Sequence, residues 1–236
     1  MASEPIGIVV GLRAEARIAR GLGWAVAVGG GTAKGAEAAA RLLAEQGCRA
    51  LVSFGLAGGL DPALQAGALL LPRAFVLDGV RVPADPDLTE RLGAPSCALL
   101  LCGSAVVATA SDKARLFRDT GAAGLDLESG AVVRVARERG LAVAALRAVC
   151  DPADQSLPPA ALVALSGAGA IMAGRVLGSV LRRPGQVPSL LALARDAAAA
   201  RRALIERVRR TTPPSTPSRK GRGACFSLSP CGRGPG

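Results

Sequence analysis

The sequence predicts an α/β protein in which helices cover both faces of a largely buried sheet, a three-layer αβα architecture. Short apolar runs rich in β-branched residues alternate along the chain with longer helical segments, which is the pattern of this fold class. Half of the 236 residues are hydrophobic and the mean hydropathy is positive, so most of the chain has the apolar content of a folded core. The length suits a single domain of medium size.

The individual elements follow from local patterns in chain order. An apolar run at 6–10 predicts the first buried strand, and helical character follows at 13–20. The segment 34–46 is rich in Ala, Leu and Glu and is followed by a glycine, which predicts a helix. A second buried strand is predicted at 50–54. Further strands are predicted at 68–71, 74–78, 98–102, 105–109 and 142–149, and further helices at 112–119, 127–139, 159–181 and 188–210.

The formal charge of +11 is concentrated near the C-terminus, because residues 1–174 contain as many acidic as basic side chains. Residues 175–210 carry nine arginines against two acidic residues, and residues 211–236 add four basic residues and no acid. The Pro, Ser, Gly and Arg content of 211–236 predicts a disordered tail. We therefore expect one domain at 1–210, with 175–210 as its basic helical part, and a basic tail at 211–236.

Composition excludes several classes of site. The chain has no histidine, which removes Ser-His-Asp triads, Cys-His nucleophiles and zinc sites that contain histidine. Its six cysteines form no CxxC pair, so we expect no metal centre and reduced thiols in a cytoplasmic protein. Four Phe, one Trp and no Tyr are too few for stacking platforms on single-stranded nucleic acid. Neither a signal peptide nor a membrane-spanning helix is predicted.

Two glycine-rich segments follow apolar runs. The cluster at 29–31 lacks the third glycine of a dinucleotide fingerprint, and the residues after Gly35 lack the Lys and Ser/Thr of a P-loop. The run at 54–62, Phe-Gly-Leu-Ala-Gly-Gly-Leu-Asp-Pro, follows the second buried strand. Glycines at the carboxyl end of a sheet strand let a ligand approach the backbone closely, so this run is the better candidate for a binding loop.

Acidic residues lie beside predicted buried strands. Asp126 and Glu128 stand between a strand and a helix, and Asp151 follows the apolar run at 141–150. A carboxyl group held partly desolvated at such a position has a raised pKa and can serve as a general acid. The alternative is N-terminal helix capping, by Asp126 for one helix and by Asp151 or Asp154 at the next turn. The pattern alone leaves both interpretations open.

Four short segments, in a fixed order, carry a resemblance to a known family. The first is Ile6-Gly-Ile-Val-Val-Gly11 with Glu15, an opening strand with an acidic helix start. The others are the glycine-rich run at 54–62, Leu-Asp-Leu-Glu-Ser-Gly-Ala at 125–131, and Arg-Ala-Val-Cys-Asp-Pro-Ala-Asp-Gln at 147–155. Together they resemble the purine nucleoside phosphorylase and methylthioadenosine/S-adenosylhomocysteine nucleosidase superfamily. The resemblance implies a phosphorylase/nucleosidase-like fold with a central mixed sheet.

The resemblance also implies an enzyme that cleaves the N-glycosidic bond of a purine nucleoside, without histidine and without a cofactor. Asp151 is implied as the general acid that protonates N7 of the departing purine, while Glu128 hydrogen-bonds the ribose hydroxyls and stabilises the positive charge that develops on the sugar. The backbone of the glycine-rich run is implied as the floor of the site. The substrate-binding residues that follow from the resemblance are Glu128, Leu127, Ala57, Gly58 and Gly59.

The nucleophile stays open between water and phosphate, the latter as a co-substrate. Relatives that use water place a catalytic glutamate near the first strand, and Glu15 corresponds to it with a displacement of one residue in a gapless match. Two further positions depart from the family pattern. Cys150 stands where relatives often have Ser before the catalytic Asp, and Leu56 replaces a polar residue of the glycine-rich run.

The run at 181–191, Leu-Arg-Arg-Pro-Gly-Gln-Val-Pro-Ser-Leu-Leu, resembles the hopanoid-biosynthesis-associated phosphorylases. That branch implies release of adenine from adenosylhopane, and relatives imply a homo-oligomer. The alternatives are a soluble methylthioadenosine/S-adenosylhomocysteine nucleosidase and, from another class, a nucleic-acid-binding protein that uses the Arg-rich C-terminus. We expect no nucleic-acid partner. Instead, we expect peripheral contact with anionic lipid at the inner face of the membrane, through arginines on one side of the helix at 188–210: Arg195, Arg202 and Arg209.

Overall fold

The computed structural model describes residues 4–159, 161 and 184–211. The strands of this part of the chain form a single mixed sheet. They are β1 (Ile6–Val10), β2 (Ala25–Val28), β3 (Ala50–Gly59), β4 (Leu69–Leu70), β5 (Pro72–Leu77), β6 (Val80–Pro83), β7 (Cys97–Cys102), β8 (Gly124–Asp126) and β9 (Ala142–Asp151).

Strand β3 is the centre of the sheet. The main path runs in the order β2, β1, β3, β8, β7, β5 and β6, while β9 pairs with β3 and with the short β4. Most pairs are parallel, and the antiparallel ones are β3 with β8, β4 with β9, and β5 with β6. Strands β3 and β9 are each ten residues long, and both are buried over most of their length. Because they run parallel, their carboxyl ends meet at one edge, where α/β sheets collect functional groups.

Helices cover the sheet from both sides. They are α1 (Arg13–Ala19), α2 (Ala33–Glu45), α3 (Pro86–Leu92), α4 (Ala110–Thr120), α5 (Ser129–Arg139) and α6 (Val187–Thr211). Helices α2 and α5 share one apolar core with the sheet, and α1, α3 and α6 share the core on the opposite face. Helix α4 packs on a third cluster near β7 and β8. The predicted three-layer αβα fold with a central mixed sheet is confirmed.

One predicted strand is wrong. The chain has no regular structure over 105–109, because its polar groups there serve the start of α4 instead of a sheet ladder. The Thr109 side chain caps α4 by accepting a hydrogen bond from Asp112 N, and the Ala108 carbonyl accepts one from Leu157 N. The other strands and helices predicted within the described ranges are confirmed, with ends shifted by a few residues.

Some elements were not predicted from the sequence: β2, β6, β8 and α3. Helix α3 has a recognisable start, since Asp85 caps it by accepting from Leu88 N and a proline occupies its first turn. Strand β8 is only three residues long, too short for a periodic pattern. The glycine-rich run at 54–62 is not a loop throughout, because β3 continues to Gly59.

The helix predicted at 159–181 and the tail predicted at 211–236 lie almost entirely outside the described residues. Among the helices that are described, none combines the length and the apolar character that crossing a membrane requires.

Candidate active site

The carboxyl end of β3 is flanked by two strands at a single residue, Gly58. On one side Gly58 pairs with Leu125 of β8, and on the other it pairs with Asp151 at the end of β9. Hydrogen-bonded strands lie about 4.8 Å apart, so Asp151 and Leu125 stand on either side of Gly58. Glu128 follows β8 in the chain, and its carboxylate lies against Gly11 at the end of β1. Gly58 is partly exposed, whereas its neighbours Ala57 and Gly59 are buried. Of these three residues, Gly58 is the one open to a ligand.

Asp151 is a buried carboxyl group with one defined ionic partner. Its Oδ1 lies 2.7 Å from the Lys113 ammonium, and its side chain is only 10% exposed. Burial raises the pKa of Asp151, the hydrogen bond and charge of Lys113 oppose that rise, and the negative charge of Asp196 adds to it; the net shift is upward. The capping alternative is not what the geometry shows for Asp151, because its carboxylate pairs with the Lys113 ammonium.

Lys113 is a further residue of the candidate site, and no pattern in the sequence indicated it. It lies in the first turns of α4 and is fully buried. Besides its contact with Asp151, its ammonium donates hydrogen bonds of 2.8 Å to the carbonyls of Pro152 and Gln155. A lysine of α4 therefore holds both the carboxylate at the end of β9 and the turn that follows it.

Glu128 belongs to a buried charge cluster around Arg147. Arg147 points from β9 and is 2% exposed, with its guanidinium 2.5 Å from Asp126 Oδ2 and 3.3 Å from Glu128 Oε2. Its Nη2 also donates to Ser53 Oγ at 2.6 Å. Burial opposes the charge of Arg147, but Asp126 and Glu128 reverse that effect and raise its pKa. Arg147 is thus a permanent cation at the centre of the cluster.

The two acidic residues around Arg147 differ in their contacts and in their electrostatic environment. Asp126 Oδ2 accepts hydrogen bonds from Ser129 N and Ser129 Oγ at the start of α5, so the capping interpretation holds for this residue. Burial raises the pKa of Glu128, Arg147 opposes the rise, and the negative charges of Glu15 and Asp126 add to it; the net shift is upward. The surroundings of Glu128 therefore disfavour its ionised form.

Glu15 lies beside this cluster. Its Oε1 accepts a hydrogen bond from Leu56 N at 3.2 Å and its Oε2 accepts one from Leu12 N at 2.8 Å, so the side chain joins the start of α1 to the end of β3. The residue is 4% exposed and its charge acts on both Arg147 and Glu128. Despite its displacement in the gapless match, Glu15 is therefore brought together with Glu128.

Close approach of these side chains depends on a glycine in β3. A Cβ on Gly55 would lie 2.6 Å from Glu15 Oε1 and 2.9 Å from Arg147 Nη1, and the backbone there has φ of 151°. Both the space and the conformation therefore require glycine at this position. The next residue, Leu56, contributes its backbone: its N–H binds Glu15 and its carbonyl accepts from Arg147 Nη1. This backbone role explains why the site accommodates an apolar side chain at position 56.

Two residues that the sequence singled out remain to be placed, Leu127 and Cys150. Leu127 is partly exposed, and a Cβ on Gly103 would lie 3.3 Å from its Cδ2, which places it against the segment after β7. Burial raises the pKa of the Cys150 thiol to about 12, so Cys150 stays neutral beside Asp151. Across the residues that the structure describes, no cluster of three or more His, Cys, Asp or Glu side chains is arranged to hold a metal ion.

Comparison with solved structures shows the same fold in nucleoside-cleaving enzymes. 5′-Methylthioadenosine/S-adenosylhomocysteine nucleosidase from Helicobacter pylori matches with a TM-score of 0.61 and 15% identity, over 89% of this chain and 100% of that one. Futalosine hydrolase from Helicobacter pylori gives 0.60 and 15% over 88% and 98%, and S-adenosylhomocysteine nucleosidase from Streptococcus pyogenes gives 0.59 and 15% over 87% and 98%. At these identities the likeness concerns the fold.

A search among curated proteins gives no significant match. The sequence profile of the phosphorylase superfamily, however, matches residues 18–182, which is well over half of the chain and includes Glu128, Arg147 and Asp151. The profile match agrees with the mixed α/β fold and with the resemblance carried by the four motif segments. This chain therefore belongs to the phosphorylase superfamily.

Proposed function

We propose that the chain hydrolyses the N-glycosidic bond of a purine nucleoside, with Asp151 as the general acid and Glu128 as the ligand of the ribose hydroxyls. One observation carries this proposal: two carboxyl groups with raised pKa lie at the same edge of the sheet, Asp151 beside the open backbone of Gly58 and Glu128 against Gly11 at the end of β1. Such a pair, one to protonate the leaving group and one beside the sugar, is what cleavage of a glycosidic bond requires.

In this reaction the bond between C1′ of the sugar and N9 of the purine breaks, and its electron pair leaves with the base. Burial raises the pKa of Asp151, which favours the protonated form, and this proton passes to N7 as the bond stretches. The sugar develops oxocarbenium character, which the nearby negative charges of Glu128 and Glu15 stabilise. Water then adds to C1′ and gives up a proton to the Glu15 carboxylate, so the products are the free sugar and the neutral purine.

Charge balance in the site favours water over phosphate as the nucleophile. Arg147 is already neutralised by Asp126 and Glu128. The ammonium of Lys113 has all three of its donors engaged by protein oxygens, so none is free for a phosphate. Glu15 adds a further acidic group beside the cluster, and a phosphate dianion placed there would meet carboxylates instead of free cations. The similar folds of two nucleosidases and one hydrolase support the same choice.

Base release from purine nucleosides by the purified chain tests this proposal. Replacement of Asp151 by Asn is expected to lower kcat by about 10²- to 10⁴-fold, the usual contribution of a general acid. Asp154→Asn, three residues away and exposed, is the matched control and is expected to retain activity. The product should be the free sugar, at the same rate with and without phosphate. Full activity of Asp151→Asn, or a sugar 1-phosphate as the product, would contradict the proposal.

For the substrate we propose adenosylhopane. The sequence resemblance of the run at 181–191 to the hopanoid-associated branch supports this choice, and so do the exposed apolar side chains of Val187 and Leu191 in the described part of that run. The fold fits a soluble methylthioadenosine/S-adenosylhomocysteine nucleosidase equally well. A panel of adenine nucleosides with 5′ substituents of increasing apolar length separates the two, because only the lipid-specific enzyme prefers the long substituents.

We propose that the basic side of α6 docks on anionic lipid at the cytoplasmic face of the membrane. A lipid-linked substrate would be reached there. The helix buries one side in the core and leaves the arginine side exposed. Binding to vesicles with anionic lipid, absent with neutral vesicles and lost in a triple Arg→Gln variant, is the expected result. Equal binding to both vesicle types would refute it. The arginines replaced are Arg195, Arg202 and Arg209.

The oligomeric state and the nucleic-acid-binding alternative are two further predictions that experiments can test. The homo-oligomeric state is tested by light scattering on the purified chain. The nucleic-acid-binding alternative predicts salt-sensitive binding of DNA or RNA that is lost when 175–236 are deleted. The packing of α6 on the enzyme core through Ala200, Leu204 and Val208 favours a part of the enzyme over an independent nucleic-acid module.

A further inference from the structure

We propose that Lys113 is a positioning residue that confines the transferable proton of Asp151 to one carboxylate oxygen, Oδ2, and aims it at the end of β3. This inference rests on the proposed role of Asp151 as general acid. It adds a second residue to the acid and states which atom delivers the proton.

The hydrogen bonds of Lys113 fix its ammonium completely. A lysine ammonium has three donors, and Lys113 uses them on Asp151 Oδ1, the Pro152 carbonyl and the Gln155 carbonyl, all at 2.7 to 2.8 Å. Burial of a charge without such partners is costly, which holds the ammonium in this arrangement. Because Oδ1 accepts from an ammonium, a proton on Asp151 resides on Oδ2.

The free oxygen faces the proposed substrate site. A Cβ built on Gly58 would lie 3.8 Å from Asp151 Oδ2, so this oxygen is directed towards the partly exposed backbone at the end of β3. Rotation of the carboxyl group would break the contact between Oδ1 and Lys113. The purine therefore meets a donor whose direction is set before binding, which is the geometric requirement for efficient proton transfer.

Further hydrogen bonds, besides the ion pair of Lys113 and Asp151, connect the chain after β9 to the start of α4. The chain after β9 is attached to the start of α4 at two more points, by the hydrogen bond from Ala110 N to Ser156 Oγ at 3.0 Å and by that from Leu157 N to the Ala108 carbonyl at 2.8 Å. Helix α4 thereby acts as the rigid support of the acid, and Lys113 is the link between them.

The charged and titratable groups that act on Asp151 come from three elements. Lys113 of α4 lowers the pKa of Asp151 by hydrogen bonding and charge, Asp196 of α6 raises it, and burial at the end of β9 raises it most. Cys150 is a neutral thiol and adds no charge. Loss of the Lys113 charge consequently leaves only influences that raise the pKa of Asp151.

A pH profile distinguishes positioning from mere structural support. A general acid loses activity as the pH rises through its pKa, so the alkaline limb of kcat/KM reports Asp151. In Lys113→Met this limb is expected to move to higher pH while kcat falls by about 10- to 100-fold, as expected for a misdirected group. In Lys113→Arg, which retains the charge, the limb is expected to stay in place. A limb of Lys113→Met that coincides with the wild-type limb would overturn the proposal.

A measurement on the wild-type chain covers the case in which Lys113→Met fails to fold. The chain has only three lysines, Lys34, Lys113 and Lys220, so the Nζ resonances of ¹⁵N-lysine-labelled protein are readily assigned. The Nζ chemical shift of Lys113 should change as Asp151 gains its proton. In Asp151→Asn this pH-dependent change should be absent. A wild-type Lys113 signal that shows no such change contradicts the proposal.

Controls separate the two proposals from each other. Lys34→Met, the same substitution at an exposed lysine, should leave both kcat and the alkaline limb unchanged. If Asp151→Asn retains full base release, the proposed function fails, whereas the NMR titration still tests the pairing. If Asp151→Asn is inactive and the Lys113→Met limb does not move, the function stands and only this inference fails.

Discussion

Gly11 leaves the space that the carboxylate of Glu128 occupies. A Cβ on residue 11 would overlap Glu128 Oε1 and would lie 3.0 Å from Oε2. Gly11 directly follows β1, so the opening strand limits where the proposed ribose ligand can lie. Glycine is needed at position 11 because the Glu128 carboxylate lies too close for a side chain. The backbone conformation is not the reason, since φ of Gly11 is not positive.

Gly11→Ala should therefore displace Glu128 and reduce activity. A displacement near 1 Å of a substrate-positioning group costs about 10²-fold in rate, and we expect a loss of that order in kcat/KM. Base release at neutral pH measures it. Gly185→Ala is the matched control, because a Cβ there meets nothing within 4 Å. Equal activity of the two variants would show that Glu128 moves aside at no cost.

The proposed acid and ribose ligand were predictable from sequence, whereas their supports were not. Asp151 and Glu128 lie in short motifs beside buried strands, where local pattern and family resemblance both indicate chemistry. Lys113 is 38 positions from Asp151 along the chain, and no local pattern joins a lysine in α4 to the end of β9. Its role depends on the tertiary arrangement of two elements, which periodicity does not encode.

The secondary-structure elements show the same difference between what local sequence predicts and what tertiary contacts decide. Long apolar or amphipathic segments such as β9 and α2 were predicted, because their periodicity extends over ten or more residues. The error at 105–109 arose because a β-branched run before a helix has the same composition as a strand. There, capping of α4 by Thr109 determines the conformation.

Arg147→Met is expected to destabilise the fold strongly. The substitution leaves Asp126 and Glu128 buried without their cation, and breaking a buried pair in this way costs about 3–5 kcal/mol. Arg134→Met breaks an exposed pair with Asp78, for which about 0.2–1 kcal/mol is expected. Urea unfolding of both variants measures the difference. Similar losses in the two variants would mean that the buried carboxylates become protonated or solvated without penalty.

Glu128→Gln should stabilise the protein at neutral pH while abolishing function. The folded-state pKa of Glu128 is raised above its unfolded value, so the folded chain holds this proton more tightly, and stability is lost as the pH rises from the unfolded pKa through the folded pKa. Gln carries no ionisable proton and escapes that loss. The gain over wild type should therefore be larger at pH 7 than at pH 4.

Thermal unfolding of wild type and Glu128→Gln across pH 4–8 measures this effect. Glu90→Gln, at an exposed position, is the control and should show no such pH-dependent gain. A Glu128→Gln variant that is less stable than wild type at pH 7 would show that the contact with Arg147 outweighs burial.

Glu15→Gln tests the assignment of water as the nucleophile. Both carboxylate oxygens accept backbone hydrogen bonds, and the glutamine keeps one acceptor, so we expect a stability loss of about 1 kcal/mol, similar to loss of a helix cap. The negative charge beside the sugar and a base for water are lost together, which should lower kcat by about 10²- to 10⁴-fold. Glu45→Gln, an exposed glutamate of α2, controls for loss of charge alone. If Glu15→Gln retains the activity of Glu45→Gln, Glu15 is only the cap of α1, and water must be activated by Glu128 alone.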